Sequence, residues 1–201
     1  MTTAIAPAEL ASATSLQQLL EERRTIHQFI DRALPEGALD RALQTAIAAP
    51  NHRLTEPWRF TRSGPQTRRA LLEIGLDRLT RGGQITLPPS AQEVIRVTIE
   101  NPAELLIVSQ VLDPRPEVRA EDYAAVACAI HNLTLALWAE GIGSKWSTTD
   151  VMEDPRTYSQ LGLNPEQERI VGLLWIGYPA RDEPPKARRK KSLDDVVRQA
   201  P

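Results

Sequence analysis

The chain has 201 residues, a formal net charge of -2, and 41% hydrophobic and 25% charged residues. That length and balance suit one soluble globular domain spanning residues 1–201, with a sizeable core, and they argue against nucleic acid or an anionic membrane as partner. A single cysteine, Cys128, excludes an internal disulfide and fits a reducing compartment.

Residues 1–16 contain Glu9 but neither Lys nor Arg and no continuous apolar run, so they do not read as a signal peptide. The longest apolar stretch, residues 124–137, is broken by His131, Asn132 and Thr134 and is too short and polar for a membrane span. The expectation is a soluble, cytoplasmic protein.

Ser15-Leu16-Gln17-Gln18 has the form of a capping box, and Leu16, Leu19 and Leu20 line one stripe of a helix running to about Arg24. Residues 28–35 read as an extended connection. A second helix starts near Glu36, because Leu39, Ala42, Leu43, Ala46 and Ile47 follow the spacing of a one-sided helix, and Pro50 stops it. Residues 58–62 read as a strand. Residues 66–79 read as a helix carrying Leu71, Leu72 and Leu76, broken by Gly82-Gly83. Pro88-Pro89-Ser90 opens a further helix to about Glu100.

Residues 105–112 are a continuous apolar run closed by Asp113-Pro114, the pattern of a buried strand. Residues 120–140 make the longest helix, apolar nearly all round, which suits burial in a core or across a subunit interface. Cys128 lies in this run and reads as a buried small residue rather than a nucleophile. Gly141 and Gly143 end the helix. Residues 145–148 form a short extended piece, and Asp154-Pro155 supplies a cap and first-turn proline for a short helix. Residues 169–178 are a second buried strand ending at Pro179. Pro184-Pro185 opens a stiff basic tail, and residues 192–199 read as a short closing helix. Helices followed by strands separated by helices indicate an α+β domain.

Two guanidinium forks at Arg23 and Arg24 suit a phosphate or a flat polar ring edge, against the plainer reading of a solvated helix end. The loop Ala49-Pro50-Asn51-His52-Arg53-Leu54-Thr55-Glu56-Pro57-Trp58 sets His52 and Asn51 beside an aromatic strand. For Glu56 an ion pair or a capping role is favoured over acid catalysis. Gly141-Ile142-Gly143 follows a helix rather than a strand and lacks the third glycine of a dinucleotide fingerprint. Ser144 and Lys145, next along the chain, read as facing either a ligand or solvent. The run Arg188-Arg189-Lys190-Lys191 reads mostly as a solvated tail. Scattered His and Cys give no metal site.

Taken in order, Glu22-Arg23-Arg24-Thr25, the 49–60 loop, Ala129-Ile130-His131-Asn132-Leu133, Gly141-Ile142-Gly143-Ser144 and Trp175-Ile176-Gly177-Tyr178-Pro179 resemble the FMN-dependent nitroreductase family, over roughly residues 15–62 and 103–197. Thr25 stands where that family commonly has Ser, Leu54 where it has Asn, and Glu56 where it has Gln. The His in the loop resembles a compact subgroup of the family. The resemblance implies a mixed, mostly antiparallel sheet flanked by helices, in an intertwined homodimer with FMN at the subunit interface. It implies hydride transfer from NAD(P)H through the flavin to a nitroaromatic, quinone or related small acceptor. FMN contacts then fall to Arg23, Arg24, Thr25, His52, the stretch Trp146, Ser147 and Thr148 along the ring, and Lys190 at the phosphate, with Arg189 as its adjacent alternative. No side chain is assigned as catalytic, since the flavin carries the chemistry and His52 is placed at the flavin or substrate edge. Reductive dehalogenation, flavin breakdown and a non-catalytic scaffold are the alternatives. Residues 63–102 match little and correspond to the substrate-facing part of the family, so the acceptor and the choice between NADH and NADPH stay open.

Overall fold

The computed structural model describes residues 16–180 and 191–200. Its elements are α1 (Leu16–Glu22), β1 (Phe29–Ile30), α2 (Ala38–Ala46), β2 (Trp58–Arg62), α3 (Pro65–Leu79), α4 (Pro89–Glu100), β3 (Glu104–Val111), α5 (Pro116–Ala139), β4 (Gly143–Ser147), α6 (Pro155–Leu161) and β5 (Glu168–Pro179). Short 3-10 turns at His52–Leu54 and Asp150–Glu153 were not evident in the sequence.

β5 organises the sheet. It pairs antiparallel with β3, with Leu106 opposite Leu174, and along its other edge with β4, where Trp146 also faces Leu174. Its end pairs with β1, Phe29 opposite Pro179, and β2 completes the order β1-β5-β3-β2. Among the described residues every strand pairing is antiparallel, and a single isolated bridge, Thr25 to Ser144, is parallel. The α+β, mostly antiparallel expectation holds.

The apolar run of β3 is continuous because both faces of the sheet are covered. Leu106, Val108, Leu174 and Ile176 point to one face, against Leu39 and Ala42 of α2 and Ala129, Leu133 and Leu137 of α5. Leu105, Ile107, Leu173 and Trp175 point to the other, against Leu71 of α3 and the side chains of Met152 and Tyr158. Val108 faces Gly172 while Ser109 faces Ile170, so Val171 is an extra residue, a β-bulge.

α5 begins at Pro116, four residues before the expected start, with proline in the first turn where its missing N–H costs nothing. At its end Gly141 (φ 72°) donates to the Trp138 carbonyl and Ile142 to that of Leu137, the Schellman arrangement. Its buried stripe includes Val118, Ala125, Ala129, Leu133 and Leu137. Tyr123, Ala124, Cys128 and His131 lie outside that stripe and are exposed within the chain. Cys128 is therefore not the buried residue that its apolar neighbours suggested. In a helix apolar on every side, composition does not reveal which side the protomer covers.

Near the C-terminus, Val196 and Val197 donate to the Leu193 carbonyl, and the Ser192 N–H and hydroxyl bond Asp195. This is one turn, not the expected helix over 192–199, because Ser192 and Asp195 satisfy each other locally and no sheet or helix among the described residues covers the segment. Ser15, Pro184, Pro185, Arg189 and Lys190 lie outside the described residues. Among the described residues no helix is long and apolar enough to cross a membrane.

Candidate functional site

Arg23 continues the helical hydrogen bonding of α1, its N–H donating to the Leu19 carbonyl at 3.0 Å. Arg24 turns back, and its guanidinium donates to the carbonyls of Glu21 and Arg23, capping the end of α1. The chain then runs onto β4. Thr25 bridges Ser144, and the buried Ile26 donates its N–H to the Ser144 carbonyl at 3.0 Å. Gly143 permits this approach, since a Cβ there would lie 2.6 Å from the Ile26 side chain.

β4 divides its side chains by the strand period. Ser144 and Trp146 share a face with their cross-strand partners Ile176 and Leu174. Trp146 lies on Gly172, where an added Cβ would be 2.0 Å from its indole nitrogen, and it donates to the carbonyl of the bulged Val171 at 3.2 Å. Lys145 and Ser147 point the other way, like their partners Trp175 and Leu173, into a cavity of about 570 Å3. Leu72 and Leu79 of α3 and Val94, Ile95 and Ile99 of α4 wall that cavity, and Thr149 and Asp150 close its polar side. The Ser147 hydroxyl, 8% exposed as a residue, is the one buried side-chain polar atom among the described residues without a hydrogen-bond partner. Of the three residues 146–148 assigned by the sequence to one ligand, the Ser147 side chain lines the cavity, the Trp146 side chain lies on the opposite face, and Thr148 is exposed. Lys145, left open between ligand and solvent, lines it too.

The polar rim is held by charge pairs. Arg78 bonds Asp154 at 3.3 Å and lies 3.6 Å from Asp150, while Arg156 pairs with Asp154 and with Asp77 at 2.8 Å. Asp154 also caps α6 through the Arg156 N–H, as its Asp-Pro pair foretold. The bonds from Arg156 hold its carboxyl well below the usual carboxylate range, against burial, which pushes it up.

His52 belongs to a second locus. Its turn is pinned to the first turns of α5, where Arg53 bonds Glu121 at 2.9 Å and the Thr55 hydroxyl donates to Asp122. Asn51 ties the turn internally, accepting from the Glu56 N–H at 2.7 Å and donating to the His52 carbonyl and Thr55 hydroxyl. Arg53, Leu54 and Glu56 all have positive φ, of 71°, 51° and 45°. Three non-glycine residues in that region within four positions are costly and persist where the surroundings over-determine them, a pattern concentrated at functional sites. His52 is exposed, and Leu54 at the tip is 83% exposed. The Glu56 side chain takes neither the ion pair nor the capping role expected for it, among the described residues; its backbone N–H is what the loop uses. No group of three His, Cys, Asp or Glu among the described residues is placed to hold a metal.

Comparison with known proteins gives this geometry a family. The model of the nitroreductase family matches residues 20–178. The putative NAD(P)H nitroreductase YfhC of Bacillus subtilis (strain 168) is 30% identical over 181 residues, 90% of this chain and 91% of that protein. A nitroreductase-like family protein from Bacillus cereus superposes with a TM-score of 0.80 at 27% identity, covering 94% of this chain and 97% of that one. Iodotyrosine deiodinase, crystallised with FMN and 3-iodo-L-tyrosine, has the same fold, with a TM-score of 0.71 at 22% identity over 93% of this chain and 100% of that one. The chain belongs to the nitroreductase family.

Proposed function

We propose that the protein is an FMN-dependent oxidoreductase that takes hydride from NAD(P)H and passes it to a small nitroaromatic, quinone or related acceptor, and that it works as a cytoplasmic homodimer of single-domain subunits. The observation that carries this reading is the cavity beside β4. Its walls are flat-packing aliphatic side chains, its floor holds an unpartnered serine hydroxyl, and the strand that lines it is joined at its start to the Arg23–Thr25 segment. Those donors fit a flat heteroaromatic ring bearing a phosphate tail.

In this reading the Ser147 hydroxyl bonds a polar atom of the ring, and the α3 and α4 side chains exclude water from its apolar part. Arg23 offers its guanidinium to the phosphate or ring edge, with Thr25 beside it. Arg24, occupied at the end of α1, contributes through position. Lys190 is kept as a phosphate contact, with Arg189 as its alternative. Trp146 supports the strand from behind, and Thr148 contributes through its backbone. When bound, FMN supplies the two-electron chemistry, and the chain supplies orientation and electrostatics.

The separation of the two loci supports the dimer. The His52 turn is fixed to the first turns of α5, and Thr25 to the strand that follows its last turn. From Asp122 to the end of α5 at Ala139 the helix rises about 26 Å, more than one FMN spans. His52 of the partner subunit is then the one that reaches the cavity, and the exposed Tyr123, Ala124, Cys128 and His131 side of α5 is the covered interface.

The test is direct. Purified protein should show flavin absorbance, and the apo form should regain it with FMN. A hundredfold excess of FMN over its dissociation constant should stabilise the fold by about 2.7 kcal/mol. Anaerobic stopped-flow with NADH and NADPH, followed by a screen of nitroaromatics, quinones and halogenated phenols, fixes donor and acceptor. A protein that stays colourless with FMN present sinks the reading in favour of a scaffold, and a flavin-loaded monomer in light scattering sinks the dimer.

A further inference from the structure

The charges around the cavity are not equally satisfied. Arg78 is bonded to Asp154 and lies against Asp150, and Arg156, just outside, is held by Asp154 and Asp77. Lys145 is different. It projects from β4 into the cavity, half-buried among Leu173, Ile95 and Trp175, and no carboxylate pairs with it among the described residues. Two positions along the same face lies the unpartnered Ser147 hydroxyl. An ammonium set against apolar walls is costly unless a negative charge joins it. A strand face offering one such cation and one such hydroxyl, with nothing among the described residues to meet them, is complementary to a ligand that combines acceptor atoms with negative charge.

The geometry points to Lys145 as the residue that sets the reduction potential of the bound flavin, an assignment that rests on the cavity holding FMN. A hydride delivered to oxidised flavin adds two electrons and one proton, so the reduced ring carries one more negative charge unless a second proton is taken up. Lys145 therefore favours the reduced over the oxidised cofactor. A ligand state is favoured only by its differential interaction with the site, and a charge that meets the reduced ring alone supplies that difference. Arg78 cannot supply it to the same degree, since its charge is already offset by Asp150 and Asp154.

The test uses the FMN-loaded protein and its Lys145→Met, Lys145→Arg and Lys145→Gln variants. Two quantities are measured on each: the FMN midpoint potential by dye equilibration, and the dissociation constant of oxidised FMN by titration of the apo form. Lys145→Met is expected to weaken reduced FMN about tenfold more than oxidised FMN, which lowers the midpoint by about 30 mV for a two-electron couple. Lys145→Arg, which keeps the charge, is expected to stay near the wild-type potential. If Met disturbs folding, Lys145→Gln carries the same expectation. An unchanged midpoint in a folded neutral variant overturns the assignment while leaving the flavoprotein reading intact. So does an equal shift in Lys145→Arg, because packing rather than charge would then be responsible. Wild-type protein that binds no FMN overturns both.

Discussion

The hydroxyl of Thr55 donates to the carboxylate of Asp122, a residue only 2% exposed on the first turns of α5. This bond ties a strained surface turn to the longest helix of the domain. Replacing Thr55 with Val keeps the shape and removes the donor, so the buried carboxylate loses a partner at a cost of about 1–3 kcal/mol. Urea unfolding of Thr55→Val should register that loss, with FMN affinity falling as the turn relaxes. Wild-type stability in this variant would mean that the bond does not hold the turn.

His52 sits on that turn, exposed. His52→Ala is expected to change turnover with NAD(P)H several-fold while leaving the urea midpoint near wild type, since its side chain is not part of the core. A variant that loses stability but keeps full specific activity in its folded fraction would make His52 structural.

Arg23→Ala is expected to give folded but largely colourless protein. Charge-assisted hydrogen bonds are worth about 1.5–3 kcal/mol each, so losing two weakens FMN on the order of a hundredfold or more. Arg24→Ala should instead destabilise the end of α1, because its guanidinium caps the Glu21 and Arg23 carbonyls. Apo titrations of both variants beside Lys190→Ala and Arg189→Ala decide the matter. Full affinity in Arg23→Ala would move the anchor elsewhere, and full affinity in both tail variants would return the tail to solvent.

Gly172→Ala introduces a methyl group 2.0 Å from the Trp146 indole nitrogen. The ring must leave, breaking its bond to the Val171 carbonyl, and overpacking of this kind costs about 1–3 kcal/mol. Near-UV circular dichroism and thermal melting should both change. An unchanged spectrum would show that Trp146 does not rest on the bulge.

Asp154 has a folded carboxyl held below its usual range by Arg156, so it contributes stability above its unfolded pKa of about 3.9 and loses it as pH falls toward the lower folded value. Asp154→Asn should therefore be less stable than wild type at neutral pH, with the difference shrinking below about pH 4. A constant difference from pH 7 to pH 2 would contradict the assignment.

Elements with strong local signals were legible in the sequence. Trp58–Arg62 was bounded correctly because Pro57 and the polar residues after it frame an aromatic strand. Asp154-Pro155 announced α6 through cap chemistry that needs no tertiary partner. What failed depended on long-range covering. The exposure of Cys128 is set by which side of α5 meets the sheet, and the single turn over 193–197 reflects a segment that no described element covers. At the site, the resemblance led to residues 146–148, but the opposite facing of Trp146 and Ser147 follows from the β4–β5 register. Lys145 was left undecided for a similar reason: its environment is built by α3 and α4, in the stretch with the least recognisable pattern.

β5 is the last of the described strands, yet it pairs with β1, β3 and β4. During synthesis, β2–β3 is the one pairing between the described strands that can form before residues beyond 168 have left the ribosome. Phe29 must wait for Pro179, a separation of 150 residues, before its edge is closed. Non-local pairing of this kind slows folding and leaves apolar edges unprotected for longer. A stop codon between β3 and β5 would therefore release a chain whose apolar β3 has lost its central partner, a product prone to aggregation or proteolysis rather than to partial activity.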